Sequence, residues 1–389
     1  MKITGIVSEF NPFHNGHKYL VERARENGAT HVVTVMGGSF LQRGNCAVVG
    51  KYERAKAAIL GGVDLVLELP EIYACASAER FARGAVGVLE ACGCVDTICC
   101  GAEYMNVSAQ IRAIDILEGA DVGEFLSKGY SYPHAVQAAV EKSGDEEIAA
   151  LLRSPNDLLA LEYFRAGKDD FSFLSVRRTA PHDSDTPDSG KYASASLIRK
   201  MIISGGDYRE YVPETTAQMI ERAKKEGACP ARFENNERGV ISVLRRMTAQ
   251  ELKRLPDVSE GLENRLHRAI HENDTLSGII MATKCKRYTH ARLSRIAACA
   301  YLGITAADID KPPQYIRVLA LNDRGAEILK EMKKTAVLPV LTAARSFGSL
   351  TKEARKTLDI DLRASDLFAL CTPKLMRCGE DFYRGAVKI

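Results

Sequence analysis

The first twenty residues constrain the fold of this chain more than any other stretch. Residues 2–7 predict a short strand, and residues 8–13 interrupt it with a polar, proline-containing turn. Apolar positions at helical spacing follow from Tyr19 onward, so a helix begins near residues 14–17. The first N–H groups of a helix lack partners and carry partial positive charge. The stretch therefore predicts an anion site at the start of the first helix.

Two histidines stand at this helix start, in the sequence His-Asn-Gly-His. His14 and His17 are three residues apart, so on one helical turn they can face the same phosphate oxygens and stabilise charge that develops on phosphorus. Gly16 allows a phosphate to approach closely. The alternative is an ordinary helix start with solvated imidazoles. The position of the motif directly after an N-terminal strand favours the phosphate site.

Residues 5–17, Gly-Ile-Val-Ser-Glu-Phe-Asn-Pro-Phe-His-Asn-Gly-His, resemble the opening of the tRNA(Met) cytidine acetate ligase family, in the HxGH nucleotidyltransferase superfamily. The resemblance implies an enzyme that adenylates acetate with ATP and passes the acetyl group to N4 of the wobble cytidine of elongator tRNA(Met). It assigns His14 and His17 to catalysis. Mg²⁺ is expected to accompany the ATP, although no carboxylate cluster in the sequence identifies its ligands.

Strand and helix patterns alternate along the first half of the chain, with further strands expected at residues 30–36, 63–70 and 171–178 and a strand with its crevice loop at residues 95–103. This alternation predicts a Rossmann-like α/β domain with a parallel sheet. At 389 residues the chain is long enough for two domains. We expect a nucleotidyltransferase-like catalytic domain at residues 1–210. A mainly helical tRNA-binding domain with a small α/β portion is expected at residues 211–389.

Loops at the carboxyl ends of parallel strands line the ligand crevice. Gln42 and Arg43 follow the second strand and are candidates for phosphate or carboxylate contact, or else an ordinary surface loop. Gly101 belongs to the fourth strand and its crevice loop. It is either a turn glycine or, as the resemblance implies, a contact to the nucleotide. Asn156 can cap the following helix, and the resemblance gives it a compatible role in binding ATP.

Two arginines end the fifth strand. Arg177 and Arg178 are adjacent and therefore point to opposite faces, so at most one is expected to reach a given phosphate. We favour Arg177 over Arg178, and a solvated strand end is the alternative. Residues 182–190 are polar and rich in turn formers, which predicts a mobile loop over the site.

Residues 192–200 resemble the second superfamily signature, a serine-rich helix start that contacts the triphosphate. Ser194 or Ser196 as N-cap, with Arg199 one turn further, would present a hydroxyl, backbone N–H groups and a guanidinium to one anion. The sequence Ala-Ser-Ala-Ser replaces the frequent Ser-Ser-Thr, which leaves open which serine contacts phosphate. The complete expected ATP-binding set is Ile6, Val7, Ser8, Glu9, Phe10, Asn11, Pro12, Phe13, His14, Asn15, Gly16, His17, Gly101, Asn156, Arg177, Arg178, Ser194, Ser196 and Arg199.

The formal net charge is only +3, from 53 basic and 50 acidic residues, so the distribution of charge must identify any nucleic-acid partner. One basic stretch stands out at residues 284–295. If it is helical, its residues lie along one side and suit contact with a phosphate backbone, with Tyr288 free to stack on a base. A solvated helix face is the alternative. The candidate tRNA-binding residues are Lys284, Lys286, Arg287, Arg292 and Arg295.

The chain has 11 cysteines and no long apolar run, which predicts a cytoplasmic protein with reduced thiols and no membrane partner. The cluster Cys92, Cys94, Cys99 and Cys100 lacks metal-site spacing and lies among apolar residues. Small core residues are its expected role.

Two other functions use the same motifs. A small-molecule adenylyltransferase would need no tRNA, and an RNA-binding protein with a regulatory nucleotide site would release no pyrophosphate. The sequence leaves the oligomeric state and the acetate-selecting residues open.

Overall fold

The computed structural model describes residues 1–104, 107–119, 122–130, 132–144, 146–152, 154–167, 170–178, 190–259 and 261–389. The mobile loop expected at residues 182–190 lies outside the described residues, apart from residue 190. The strands are β1 (Ile3–Ser8), β2 (His31–Gly37), β3 (Leu65–Leu69), β4 (Thr97–Ala102), β5 (Ser172–Arg177), β6 (Ile316–Leu321), β7 (Val340–Leu341) and β8 (Val387–Lys388).

The helices of the first half alternate with these strands. They are α1 (Asn15–Glu26), α2 (Lys51–Leu60), α3 (Glu71–Ala74), α4 (Ala78–Ala91), α5 (Val107–Gly119), α6 (Val122–Ser127), α7 (Tyr132–Ser143), α8 (Glu146–Leu151), α9 (Pro155–Gly167) and α10 (Ala195–Ser204).

Helices dominate the second half. They are α11 (Glu214–Glu226), α12 (Glu237–Arg246), α13 (Ala249–Leu252), α14 (Leu262–Glu272), α15 (Leu276–Thr283), α16 (His290–Leu302), α17 (Ala306–Ile309), α18 (Asp323–Thr335), α19 (Lys352–Phe368) and α20 (Glu380–Tyr383). Short 3-10 helices lie at Arg209–Tyr211, Phe233–Asn236 and Ala344–Ser349.

The described strands form one eight-stranded sheet in the order β5-β4-β1-β2-β3-β6-β7, with β8 also paired to β6. The first five strands are parallel, whereas β6 runs antiparallel to β3. The α/β fold with a mostly parallel sheet is confirmed. Because β1 lies between β2 and β4, its carboxyl end opens on the middle of the crevice.

Alternating side chains of the central strands fill two cores. Leu65 and Leu67 lie in the larger cluster, which includes buried residues of α4 and α9, whereas Val66 lies in the smaller cluster with residues of α1 and α2. This alternation is the pleat of a strand that is covered on both faces. Helices therefore sandwich the sheet and fix the loops at its edge.

The sheet continues across the boundary expected at residue 210. Strands β6, β7 and β8 all come from the second half, and β6 pairs with β3 from Leu65 opposite Leu321 to Glu68 opposite Arg317. Buried residues of α14, α15 and α16 belong to the same cluster as the sheet. The division at residue 210 therefore does not separate two sheets.

Buried ion pairs reinforce this connection. Lys51 Nζ lies 2.6 Å from Glu68 Oε1 and 3.1 Å from Asp381 Oδ1. Arg317 lies 3.0 Å from Glu68 Oε2 and 2.8 Å from Asp381 Oδ1. All four side chains are almost fully buried, so each needs the opposite charge beside it. These contacts join α2 and β3 to the last part of the chain.

All eleven cysteines are free. Cys92, Cys99 and Cys100 are buried in the core, and Cys94 is partly buried against it, as expected for small core residues. Among the described residues, no helix has both the length and the apolar content needed to cross a lipid bilayer.

Candidate active site

A cavity of about 240 Å³ opens at the carboxyl end of β1. The turn after β1 forms its floor, and Phe10 occupies the left-handed region at φ +45° to redirect the chain. Buried Arg54 holds this region together, because its guanidinium donates to the carbonyls of Glu9, Gly37 and Gly38. The ends of β1 and β2 are thus kept in register beside the cavity.

His14 and His17 cap the first helix. Nδ1 of His14 accepts from Gly16 N–H at 3.0 Å, and Nδ1 of His17 accepts from His14 N–H at 3.2 Å. The two rings stack with centroids 3.7 Å apart. A neutral imidazole that accepts at Nδ1 carries its proton on Nε2. Both histidines line the cavity, each with an Nε2–H donor.

Burial keeps both imidazoles neutral. It lowers the pKa of His14 to about 3, with help from the positive charges of Arg178 and Arg199. The pKa of His17 is lowered well below its usual value by burial, by His14 and by Arg178. The site therefore presents neutral donors among fixed cations, which suits an anionic ligand.

Arg177 and Arg178 both line the cavity, and the positive charge of Arg178 helps to lower the pKa of both histidines. Arg177 is the exposed last residue of β5, although it borders the cavity mouth. Arg178 lies over Gly101, where a Cβ added to the glycine would be 3.4 Å from Arg178 Cγ. Its Nε is buried and has no hydrogen-bond partner among the described residues. Since the strand ends at Arg177, strict alternation of side chains does not extend to Arg178.

Asn156 borders the cavity from α9, but it does not cap that helix. The helix begins at Pro155, and Ser154 Oγ accepts from Asp157 N–H at 3.3 Å, which is the capping contact expected of Asn156. Asn156 Nδ2 instead donates to Glu103 Oε1 at 3.0 Å. Its amide therefore faces the loop after β4.

The second signature forms the opposite wall. Ser194 is the N-cap of α10 and accepts from Leu197 N–H at 3.1 Å, and its hydroxyl lies 3.0 Å from that of Ser196. Arg199 Nη1 donates to the carbonyl of Asn11 at 3.0 Å, which joins α10 to the first motif. Two helix starts, those of α1 and α10, thus meet at one cavity.

Most of the expected ATP-binding residues line this cavity: Val7, Ser8, Glu9, Phe10, Asn11, His14, Gly16, His17, Gly101, Asn156, Arg177, Arg178, Ser194, Ser196 and Arg199. Ile6, Pro12 and Phe13 are buried in the protein and do not line it. Asn15 donates to the carbonyls of Lys191 and Glu210. These four residues support the site, and direct contact with ATP stays a prediction for the whole set.

The apolar lining of the cavity is not predictable from the sequence. Tyr163 and Leu159 on α9 reach the cavity, as does Phe81 on α4. Their spacing is that of core-facing helix residues, so no local signal distinguishes them. Gln42 and Arg43, which were proposed from the position of their loop, do line the cavity.

The basic stretch is not one helix. α15 ends at Thr283, Cys285 and Tyr288 pair through both backbone groups, and α16 begins only at His290. Tyr288 is 7% exposed and lies under Arg292, with 5.1 Å from ring centroid to guanidinium. The expectation of a free ring on a basic helix face is therefore wrong.

Two of the five basic residues bind another residue of the protein, Asp257. Arg292 donates twice to the carbonyl of Asp257, at 2.9 and 2.6 Å, and Arg295 pairs with the Asp257 carboxylate at 3.2 Å. Lys284 and Lys286 are exposed and Arg287 is partly exposed. The outward-facing basic surface thus reduces to the turn between the two helices.

Within the described ranges, no three His, Cys, Asp or Glu side chains come together as a metal-binding group. The cations at the cavity are instead arginines, which suit phosphate oxygens. Any Mg²⁺ would therefore fit this site as part of its complex with ATP.

Comparison with known proteins agrees with this geometry. Residues 1–381 match the family model described as HIGH Nucleotidyl Transferase. The tRNA(Met) cytidine acetate ligase of Alkaliphilus metalliredigens is 34% identical over 95% of this chain and 94% of its own. That of Caldanaerobacter subterraneus subsp. tengcongensis is 35% identical over the full length of both chains.

Solved structures agree as well. The structure of Thermotoga maritima TmcAL bound with alpha-thio ATP superposes with a TM-score of 0.93 at 31% identity, and the apo form does so with 0.94 at 32%, each over the full length of both chains. Family, sequence and fold thus agree over the whole chain. It belongs to the tRNA(Met) cytidine acetate ligase family.

Proposed function

We propose that the protein is an ATP-dependent acetate ligase that forms acetyl-adenylate and transfers the acetyl group to N4 of the wobble cytidine of elongator tRNA(Met). One observation carries the chemistry. The stacked, neutral imidazoles of His14 and His17 and the guanidinium groups of Arg178 and Arg199 surround one cavity at two helix starts. Such a site suits a triphosphate.

In the first step, an acetate oxygen bonds to the α-phosphorus while the bond to the bridging oxygen breaks and pyrophosphate leaves. The Nε2–H groups of His14 and His17 donate to the oxygens on which charge develops. Arg178 and Arg199 neutralise the phosphates. Mg²⁺ that accompanies the ATP would add to this neutralisation.

In the second step, the cytidine N4 attacks the acetyl carbonyl, the bond to AMP breaks, and the amine loses one proton. The exposed basic turn with Lys284, Lys286 and Arg287 is the proposed contact with the tRNA backbone. Arg292 and Arg295 act inside the protein and are not part of this surface. The free thiols agree with a cytoplasmic location.

ATP–pyrophosphate exchange tests the first step directly. The purified protein is assayed with labelled pyrophosphate, with and without acetate, and without tRNA. Exchange that requires acetate supports the proposal. An exchange rate that does not depend on acetate but rises with another small substrate would favour an adenylyltransferase. No exchange in either assay, without tRNA or with elongator tRNA(Met), would favour a regulatory nucleotide site in an RNA-binding protein.

A further inference from the structure

The loop after β2 closes one side of the cavity. This pocket loop, residues 41–44, brings Gln42 and Arg43 to the cavity wall. Gln42 N–H donates to Glu9 Oε1 at 2.9 Å, which ties the loop to the end of β1. Because β2 and β4 flank β1 on opposite sides, the pocket loop lies across the cavity from Gly101. It therefore borders the side away from the expected nucleotide contact.

The pocket loop rests directly on α16. Gly44 has φ +75°, and a Cβ added there would lie 2.2 Å from the carbonyl carbon of Ser294 and 2.3 Å from the nitrogen of Arg295. Such distances leave no room for any side chain. In addition, Arg295 Nη1 donates to the carbonyl of Gln42 at 3.5 Å. The position of the loop thus depends on the position of this helix.

Asp257 holds Arg295 in this position. Arg295 Nε and Nη2 lie 3.3 and 3.2 Å from Asp257 Oδ2, and Arg80 approaches the other carboxylate oxygen at 3.7 Å. The backbone of Asp257 is in the left-handed region at φ +62°, and its carbonyl accepts twice from Arg292. A non-glycine residue in this conformation needs contacts that compensate its strain. Here the three arginines supply them.

We propose that Asp257 and Arg295 form a positioning pair, which holds the pocket loop against the cavity and thereby sets the affinity for acetate. The inference rests on the proposed function. The pair does not line the cavity itself and acts through Gln42 and Arg43. Loss of the pair frees the loop on the β2 side, so acetate binding weakens. Nucleotide binding on the β4 and β5 side changes little.

The test is steady-state ATP–pyrophosphate exchange in the full-length protein. Arg295→Gln removes the charge that reaches Gln42. Asp257→Asn removes the carboxylate while asparagine tolerates the positive φ and keeps the backbone carbonyl. The double variant completes the cycle. Arg25→Gln is the matched control, because Arg25 also pairs with an aspartate, Asp64, at 2.6 Å and donates to two carbonyls, but lies outside this cavity.

Each single variant is expected to raise the KM for acetate about tenfold, within the range that coupled contacts give. The KM for ATP should stay within about twofold of the wild-type value, and the double variant should be no worse than either single variant, as residues that act together require. Arg25→Gln should leave both KM values unchanged.

Two results would overturn the inference while leaving the proposed function intact. One is a wild-type enzyme with acetate-dependent exchange whose Arg295→Gln variant has an unchanged KM for acetate. The other is an equal rise in both KM values with a lowered melting temperature, which indicates general loosening. A wild-type enzyme whose exchange ignores acetate overturns the proposed function and, with it, the inference.

Discussion

The N-terminal motif and the basic stretch at residues 284–295 each place several polar or charged side chains within a few positions. The two regions differ in where those side chains find their hydrogen-bond partners. The imidazoles of the first motif accept hydrogen bonds from backbone groups close by in the sequence, the N–H groups of Gly16 and His14. The arginines of the basic stretch find their partner at Asp257, more than thirty residues away. The two imidazoles are therefore oriented by neighbouring backbone groups, whereas the arginines are oriented by a residue far away in the sequence.

The largest effect is expected from the local motif. His14→Ala, and separately His17→Ala, should lower the rate of ATP–pyrophosphate exchange about 100- to 1000-fold, because each removes one donor to the developing charge. Steady-state exchange rates measure the loss. Circular dichroism should show the same folded protein. A variant that keeps more than a tenth of the activity would remove its histidine from the catalytic role.

A smaller effect is expected where the two regions meet. Gly44→Ala must fit a Cβ against the backbone of Ser294 and Arg295. Gly261→Ala is the matched control, because Gly261 also has a positive φ, +81°, but none of the described residues lies within 4 Å of the added atom. Urea unfolding should show that Gly44→Ala is less stable than Gly261→Ala by about 1–3 kcal/mol, the cost of overpacking. Equal losses would mean that α16 moves freely away from the pocket loop.

A third prediction divides the basic stretch itself. Lys286→Ala should weaken tRNA binding a few-fold and lower the salt dependence of binding by about one phosphate contact. Arg292→Ala should instead lower the free energy of unfolding by about 1–3 kcal/mol, because it leaves the carbonyl of Asp257 without its charged donor. Filter binding at several salt concentrations and urea unfolding measure the two effects. An exposed lysine on α18, Lys330, is the control for loss of one charge.

The smallest expected effect is that the two imidazoles of the first motif do not titrate between pH 5 and 8. Because the pKa of His14 is lowered to about 3 and that of His17 is also well below its usual value, neither ring gains a proton as the pH falls from 8 to 5. NMR spectra of histidine-labelled protein test this. The two ring signals that vanish in His14→Gln and His17→Gln should be the ones that stay fixed over this range. A midpoint between pH 5 and 8 for either signal would contradict the buried, neutral site.

Much of the fold was predictable, since the strands and helices of the first half follow from apolar periodicity and turn residues. The cavity could be located because crevice loops follow parallel strands. What needed long-range information was the pairing of β6 with β3 and the capping of α9 by Ser154. Each depends on neighbours that no sequence window contains.

The buried ion pairs around Lys51 have a consequence for the synthesis of the protein. Lys51 and Asp381 are 330 positions apart, so a ribosome must add that length of chain before this ammonium meets its second carboxylate. Until residues 316–321 are made, Lys51 and Glu68 lack Arg317, and β3 has no antiparallel neighbour on its outer side; Asp381 follows later still. A nascent chain therefore carries an open sheet edge through most of its translation. Chaperones that shield unpaired strands are expected to engage this protein before it is complete.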